Sequence, residues 1–432
     1  MKITIFGSGY VGAITGIGLA KLGHKVEIVD IDKSKISQWN NGTPPIYEIG
    51  LLEYLNEYKT SGSISFTTRS SQESKFYFIA VGTPTIEGGN SANLDFVYSA
   101  LDNIIKVSSK DSIIITKSTV PVGTNKKMQE YVNEVSAGKN LKIVSNPEFL
   151  REGNAFSDFF NPDRIVLGSD SLETSKEVSK LYKTLELSSN LTKPIQYLFT
   201  DFQSAELIKH ASNGFLAIKL SYINDLARYC SLVGADVSDL SKGMGFDPRI
   251  GDRFLLPGPG WGGSCFPKDS KELLFSANKV DTDLPVLCAA IESNKAHKVW
   301  CGQQISKIAI EKSILKIGIL GIAFKAGTDD SRESSAYDLI DILSVNKFEL
   351  SLHDPKAFDF SNTDLKITNS FNDLMDILDT VEGIVINTEW TEYYNLDWGK
   401  ILNKDNIKFV IDLRNITPRL EHQNLYRIGY NI

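Results

Sequence analysis

Lys2-Ile3-Thr4-Ile5-Phe6-Gly7-Ser8-Gly9-Tyr10-Val11-Gly12 opens the chain with a short apolar run that passes straight into G-x-G-x-x-G. A helical pattern follows at once through Ala13, Ile17, Leu19 and Ala20 to Leu22 and stops at Gly23. It gives way to a second apolar run, Lys25 to Val29, which ends on Asp30. Strand, glycine turn, helix and strand make a complete βαβ unit. In that setting the glycines permit a tight turn, the approach of a pyrophosphate to a helix N-terminus, and close helix-to-strand packing. An acid 18 positions after Gly12 can accept hydrogen bonds from ribose hydroxyls and repels a 2′-phosphate, so the spacing favours NAD over NADP. Gly7, Gly9, Gly12 and Asp30 are the expected cofactor contacts, while Lys33 and Lys35 nearby read as a solvated helix start.

Three further apolar runs each end in polar residues: Phe76 to Val81 before Gly82-Thr83-Pro84, Ser112 to Thr116 before Lys117-Ser118-Thr119-Val120-Pro121-Val122-Gly123, and Leu141 to Ser145 before Asn146-Pro147-Glu148-Phe149-Leu150-Arg151-Glu152-Gly153. In a parallel α/β sheet such residues gather along the carboxyl edge, where ligands bind. Taken singly, Thr119 reads as well as a helix cap, and Glu148 with Glu152 as a solvated pair on one helix face.

Gly258-Pro259-Gly260-Trp261-Gly262-Gly263-Ser264-Cys265-Phe266-Pro267-Lys268-Asp269 sets one thiol among glycines and follows it with a cation and a carboxylate. Glycines let backbone approach a ligand, and nearby charge biases a thiol toward the nucleophilic thiolate. A plain surface loop that contains a cysteine is the competing reading. Cys230, Cys288 and Cys301 lie in helix-like surroundings and are expected to be small core residues; the four cysteines fit neither a disulfide framework nor a metal-ligand spacing.

From Thr200 or Asp201 to about Leu232 the chain reads as one long helix, apolar nearly all round, with Lys209 and Asn213 one turn apart on the same face. A lysine there either snorkels its ammonium to water or aims it, with the amide, at an oxygen that becomes negative during a reaction. Leu284 to about Lys312 reads as further helices. Apolar runs at Leu315 to Leu320, Glu349 to His353, Gly383 to Asn387 and Phe409 to Leu413 then predict a second parallel sheet, whose glycines at Gly318 and Gly321 lack the dinucleotide spacing. Lys325 and Arg332 flank an acidic turn before a helix from Ser334 to Leu343, as ligand cations or as helix-start ion pairs.

With 432 residues the chain exceeds one core, and 42% hydrophobic with 23% charged residues is an ordinary globular composition. A net charge of -7 argues against nucleic acid as the main partner. No apolar run is long enough to span a bilayer and no signal-peptide pattern precedes Lys2, so the expected location is the cytoplasm, with no membrane partner.

Together Gly7 to Gly12, Val81 to Pro84, Lys117 to Gly123, Asn146 to Gly153, Glu206 to Asn213, Gly262 to Asp269, and Gly321 to Lys325 with Arg332-Glu333-Ser334 resemble the UDP-glucose/GDP-mannose dehydrogenase family, in collinear order over nearly the whole chain. The resemblance implies an α/β protein with two Rossmann-like parallel-sheet domains joined by a long central helix and a helical dimerisation segment. It divides the chain into an NAD domain at 1–197, a central domain with the catalytic cysteine at 198–300, and a UDP-sugar domain at 301–432. The implied partners are NAD, a nucleotide sugar and a second copy of the chain; no metal is implied. UDP-glucose, oxidised at C6 to UDP-glucuronate in two steps, is the substrate it favours. GDP-mannose or a UDP-N-acetylhexosamine is the alternative, and a non-catalytic nucleotide-sugar sensor or a one-step hydroxyacid dehydrogenase stands further off.

By the same resemblance Cys265 is the nucleophile, Lys209 and Asn213 steady an oxyanion, and Asp269, Thr119 and Glu148 manage protons. NAD meets Val11, Asp30, Lys35, Thr83, Thr119, Glu152, Lys268 and Arg332. The sugar nucleotide meets Glu148, Phe149, Leu150, Arg151, Glu152, Lys209, Asn213, Phe254, Leu255, Leu256, Pro257, Gly258, Gly262 and Lys325, with Arg249 reaching the sugar bound by the neighbouring subunit.

Overall fold

The computed structural model describes residues 1–70, 73–86, 89, 91–136, 138–187, 191, 193–357, 369–371 and 373–430. The chain divides into two compact units, one of residues 1–212 with 271–280 and one of residues 213–270 with 281–432.

The first unit is built on an eight-stranded sheet: β1 (Lys2–Phe6), β2 (Lys25–Val29), β3 (Ile64–Thr67), β4 (Phe76–Ile79), β5 (Ile113–Thr116), β6 (Lys142–Ser145), β7 (Arg164–Gly168) and β8 (Gln196–Thr200), in the order β3-β2-β1-β4-β5-β6-β7-β8. All pairings are parallel except β6 with β7, which touch at Ser145 and Gly168. β4 and β5 are buried along their whole length, which explains why they read as unbroken apolar runs rather than as alternating ones. Strand order reverses between β1 and β4, and that switch point opens the crevice above which Gly7, Thr83 and Thr119 begin their loops. Strands β3, β7 and β8 went unread in the sequence. β3 and β8 lie at the sheet edges, and β8 is exposed or half-buried throughout, so it lacks the apolar signature.

The second unit carries β9 (Lys316–Leu320), β10 (Glu349–His353), β11 (Asn369–Phe371), β12 (Gly383–Ile386), β13 (Phe409–Asp412) and β14 (Leu425–Arg427), ordered β11-β10-β9-β12-β13-β14 and parallel throughout. This is the second Rossmann-like sheet expected from the sequence. Its core packs Ile317, Ile319, Leu350, Leu352, Ile384 and Ile411 with helix residues such as Cys301, Ile305, Leu339 and Ile340.

Helix Phe202–Val233 starts in the first unit and ends in the second. Residues Leu284 to Lys312 form one helix, Pro285–Glu311, with proline at its first turn where a missing N–H costs nothing. Cys230 and Cys301 are buried as expected, but Cys288 is exposed one turn into that helix, 3.8 Å from Glu292 Oε1, and is not a core residue. Its helical surroundings were read correctly; which face it occupies was not.

Candidate active site

At the switch point of the first unit Gly7 has φ 107°, and a Cβ there would stand 2.4 Å from the Ala80 carbonyl oxygen. A Cβ on Gly12 would lie 2.0 Å from the Gly7 carbonyl oxygen, whereas one on Gly9 would meet nothing within 4 Å. The two outer glycines are thus demanded by close packing, and the middle one faces open space. Gly9 precedes helix Tyr10–Lys21 with no side-chain cap, so its first N–H groups are left for a ligand. Asp30 Oδ2 accepts from both Ser8 N and Ser8 Oγ at 2.8 Å, which fixes the glycine loop against the end of β2. A bare cradle, an uncapped helix start and an adjoining carboxylate fit the pyrophosphate and ribose of a dinucleotide. Gly12→Ala is expected to force main chain apart here, costing about 1–3 kcal/mol of stability and most NAD affinity; urea denaturation beside an NAD fluorescence titration checks both.

Thr83 Oγ1 donates to the Thr119 carbonyl at 2.8 Å, which ties the loops after β4 and β5 together. Val11 and Glu152 are half-buried, and Lys35 is exposed. Residues 146–153 form a loop, not the helix on which Glu148 and Glu152 were one alternative reading, and Glu148 is buried. Its Oε1 accepts from Lys209 Nζ at 2.7 Å and its Oε2 from Leu150 N at 2.5 Å. Lys209 is 4% exposed, so it does not snorkel: a carboxylate, not water, compensates its charge. Two cations stand near Phe149, with the Arg164 guanidinium carbon 3.7 Å and Lys209 Nζ 5.7 Å from its ring centroid. Arg151 points away to Asp158, with Nη2 and Oδ1 2.6 Å apart.

In the second unit Cys265 is exposed and immediately precedes helix Phe266–Asn278. The Asp269 N–H donates to the Cys265 carbonyl at 2.8 Å. Asp269 is 1% exposed; its Oδ2 accepts from Asn213 Nδ2 at 2.7 Å and its Oδ1 from Lys268 Nζ at 2.8 Å. One turn after the thiol, then, a buried carboxylate holds a buried amide and a half-buried ammonium. Gly262 packs so closely that a Cβ would lie 2.0 Å from the Glu333 carbonyl oxygen, and Gly263 N donates to the Arg332 carbonyl at 2.9 Å. Trp261 is also anchored, its indole N–H donating to Ser221 Oγ at 2.9 Å.

Along the Phe254–Gly258 run Phe254 adopts φ 62°, Leu255 and Pro257 are buried, and Leu256 is 74% exposed. Asn224 Oδ1 accepts from Gly258 N at 2.9 Å, and His297 Nε2 lies 2.8 Å from the Gly258 carbonyl. Burial pushes the His297 pKa down to about 4, which keeps the ring neutral and Nε2 the donor. Lys325 is half-buried beside Phe324, whereas Arg332 is exposed and pairs with Asp330 at 2.7 Å. Arg249 is exposed and holds Asp247 at 2.6 Å.

Arg414 was missed. It follows β13 as Thr83 follows β4, so the rule that flagged one could have found the other. Its guanidinium donates to the carbonyls of Asn387 at 2.7 Å and Phe324 at 2.9 Å and borders Gly258 at 3.2 Å from where a Cβ would stand. The second sheet also has an acid after its second strand, yet Asp354 is 1% exposed and spends its oxygens on the N–H groups of Ile322, Ala323, Lys356 and Ala357. No acceptor is left there for a ribose, a physical reason for this sheet to hold something other than NAD.

Three family models match in sequence: the NAD binding domain of the UDP-glucose/GDP-mannose dehydrogenase family at residues 1–186, its central domain at 203–296 and its UDP binding domain at 318–419. The chain belongs to the UDP-glucose/GDP-mannose dehydrogenase family. As a member it is an NAD-dependent nucleotide-sugar dehydrogenase, with Gly7 to Gly12, Asp30 and Glu148 in the NAD binding domain, Lys209, Asn213 and Cys265 in the central one, and Lys325, Arg332 and Arg414 in the UDP binding one. Within the family, UDP-glucose 6-dehydrogenase of Rickettsia conorii is 39% identical over 439 residues, covering 100% of this chain and 98% of that one. UDP-glucose 6-dehydrogenase of Rhizobium meliloti is 38% identical over 96% of this chain and 95% of its own. The solved structure of a UDP-glucose dehydrogenase from Pyrobaculum islandicum superposes with TM-score 0.87 at 32% identity, over 99% and 98% of the two chains. That of a UDP-D-ManNAc dehydrogenase from Pyrococcus horikoshii gives 0.86 at 25% identity over 100% of both. Among the described residues no helix is long and apolar enough to cross a membrane.

Proposed function

We propose that this chain oxidises the C6 alcohol of UDP-glucose to the carboxylate of UDP-glucuronate, in two successive steps, with Cys265 as the covalent nucleophile. The observation that carries the reading is the exposed thiol of Cys265 at a helix N-terminus, one turn before the buried Asp269, which holds Asn213 and the half-buried Lys268. A one-step alcohol dehydrogenase has no use for such a thiol. The sugar comes from the identity of full-length relatives, since fold similarity alone is as high for an enzyme named for UDP-D-ManNAc.

NAD, when bound, accepts a hydride from C6 in each of the two steps. The first oxidation takes a hydride from C6 and a proton from its oxygen, and leaves an aldehyde. Cys265 Sγ then bonds to C6 and makes a thiohemiacetal whose oxygen is negative until a proton reaches it; Lys209, with Asn213 assisting, lowers the energy of that anion. Loss of the second hydride leaves a thioester. Water adds to it, and the C–S bond breaks to release carboxylate and free thiol. In this reading Asp269 receives and returns protons near the sulfur, while Glu148 and Thr119 hold the hydrolytic water. Glu152, Lys268 and Arg332 bind NAD; Phe149, Leu150, the Phe254–Gly258 run, Gly262 and Lys325 bind the sugar nucleotide.

A homodimer completes the proposal. Phe215, Tyr222, Tyr229 and Leu232 are 62, 53, 61 and 84% exposed at intervals of seven, seven and three on helix Phe202–Val233, an apolar stripe that a second copy would cover. In this proposal Arg249, exposed beside Asp247, reaches the neighbour's sugar. Tyr222→Lys with Phe215→Asp is expected to give a monomer in sedimentation and, with Arg249 out of reach, at least ~10-fold lower kcat/KM. A dimer with full activity contradicts the assignment of that face. Charged substrates and cofactor agree with a cytoplasmic location, and the product is a sugar donor for polysaccharide synthesis. A panel of sugar nucleotides tests the substrate: faster NADH formation from a UDP-N-acetylhexosamine or GDP-mannose than from UDP-glucose overturns it.

A further inference from the structure

Lys117 follows β5 directly and is 6% exposed. Its ammonium donates to Asn146 Oδ1 at 3.2 Å and to the Asn146 carbonyl at 3.4 Å. Tyr182 OH donates to the same Oδ1 at 2.6 Å, and Asn146 Nδ2 reaches the Val166 carbonyl at 2.9 Å. Asn146 therefore begins the 146–153 loop from a fixed position, and Lys117 is one of the groups that fix it. The loop delivers Glu148 two residues later to Lys209, so two buried ammonium groups and one buried carboxylate share the carboxyl edge of β5 and β6.

A buried pair of Lys209 and Glu148 alone would be neutral overall, so Lys209 would meet an anion with its charge partly offset by Glu148. Lys117 adds a positive charge that no hydrogen-bonded carboxylate cancels, because its hydrogen bonds go to the neutral Asn146. Such a charge is costly at rest and is compensated when an oxygen nearby becomes negative.

We propose that Lys117 is a positioning residue for the oxidation, holding the 146–153 loop and supplying the second positive charge behind the Lys209–Glu148 pair, so that the cluster stabilises a developing oxyanion rather than a neutral ground state. The inference rests on the proposed function for the identity of that oxyanion. It differs from it in resting on a residue that touches neither substrate nor thiol in the scheme above.

The groups facing Lys117 are Glu148 from the loop after β6, Lys209 from helix Phe202–Val233, and the Tyr182 phenol across Asn146. Burial foremost, with Lys209 adding and Glu148 opposing, brings the Lys117 pKa down to about 8. The charge is thus present below that pH and lost above it, and kcat is expected to fall as pH rises through about 8.

The test measures kcat and KM from pH 6.5 to 10 with UDP-glucose and saturating NAD, for wild type, Lys117→Met and Lys117→Gln. Glutamine keeps a donor for Asn146 and removes the charge. Expected for both variants are wild-type NAD affinity by fluorescence titration, a KM for UDP-glucose within ~3-fold, a kcat at pH 7 at least ~10-fold lower, and no falling limb near pH 8. A merely structural lysine would lower stability and leave the limb in place. The proposal is overturned by a Lys117→Gln enzyme with wild-type kcat, by a limb that persists in the variants, or, should neither variant fold, by a wild-type profile flat through pH 8. Failure of the proposed function looks different: wild type then leaves UDP-glucose unoxidised at every pH.

Discussion

Cys265→Ser is expected to abolish completed oxidation, lowering the yield of UDP-glucuronate by at least ~10³-fold while NAD and UDP-glucose still bind. Serine keeps the size and the helix N-terminal position of the thiol. It lacks the acidity and the nucleophilicity that let a thiolate capture an aldehyde, and an alkoxide leaves an acyl intermediate less readily than a thiolate does. The first hydride transfer does not use Cys265 in the mechanism proposed, so the variant should form aldehyde, free or trapped as a sluggish hemiacetal, with a small early NADH signal. Rapid-quench mass analysis of the sugar nucleotide separates these species. Wild-type output of acid from Cys265→Ser means that the thiol is ornamental, and the two-step mechanism goes with it.

Lys209→Ala should cost ~10²–10³-fold in kcat with little change in KM, the size expected when a donor aimed at an oxyanion is lost in a water-poor site. Stability should fall as well, because Glu148 Oε1 is left buried without the cation that stands 2.7 Å away. With both side chains under a tenth exposed, breaking one side of this pair is expected to cost about 3–5 kcal/mol. Pairing Lys209→Met with Glu148→Gln removes both charges and should return most of the stability but none of the activity. Recovery of turnover in the double variant would assign the pair a structural role only. Urea denaturation and steady-state kinetics on the single and double variants decide between the two.

Much of this arrangement could be read from residue order. β1, helix Tyr10–Lys21 and β2 were legible because strand, glycines, helix and terminal acid follow one another at spacings that serve one ligand, and at Gly12 any Cβ would come within 2.0 Å of the Gly7 carbonyl oxygen. Buried β4, β5, β12 and β13 were legible as apolar runs, to within one or two residues at their ends. Asp269 with Asn213 could be named but not paired, since 56 residues separate them and no local pattern encodes the 2.7 Å contact. Lys209 with Glu148, 61 apart, is the same case. Cys288 was misplaced because a small residue on an amphipathic helix carries little information about its own face. Arg164 and Lys117 went unassigned since their roles are set by what surrounds them: a ring 3.7 Å away in one case, an amide and two charges in the other.

Glu206 and His210 show how the long helix also braces the loop bearing Thr119. Glu206 is buried and accepts from Gly123 N at 2.5 Å, Asn125 N at 2.7 Å and Asn125 Nδ2 at 2.8 Å, while His210 Nε2 lies 2.9 Å from the Val120 carbonyl. Burial raises the Glu206 pKa despite those three donors. The motif from Glu206 to Asn213 is thus one helix face divided between bracing the sheet edge and presenting charge.

NADH released per UDP-glucose at exhaustion of the sugar, followed at 340 nm with excess NAD, tests most directly whether one active site carries the substrate through aldehyde to acid. Two per sugar, with UDP-glucuronate as the sole nucleotide-sugar product, is the predicted result. One per sugar, with free aldehyde accumulating, contradicts it.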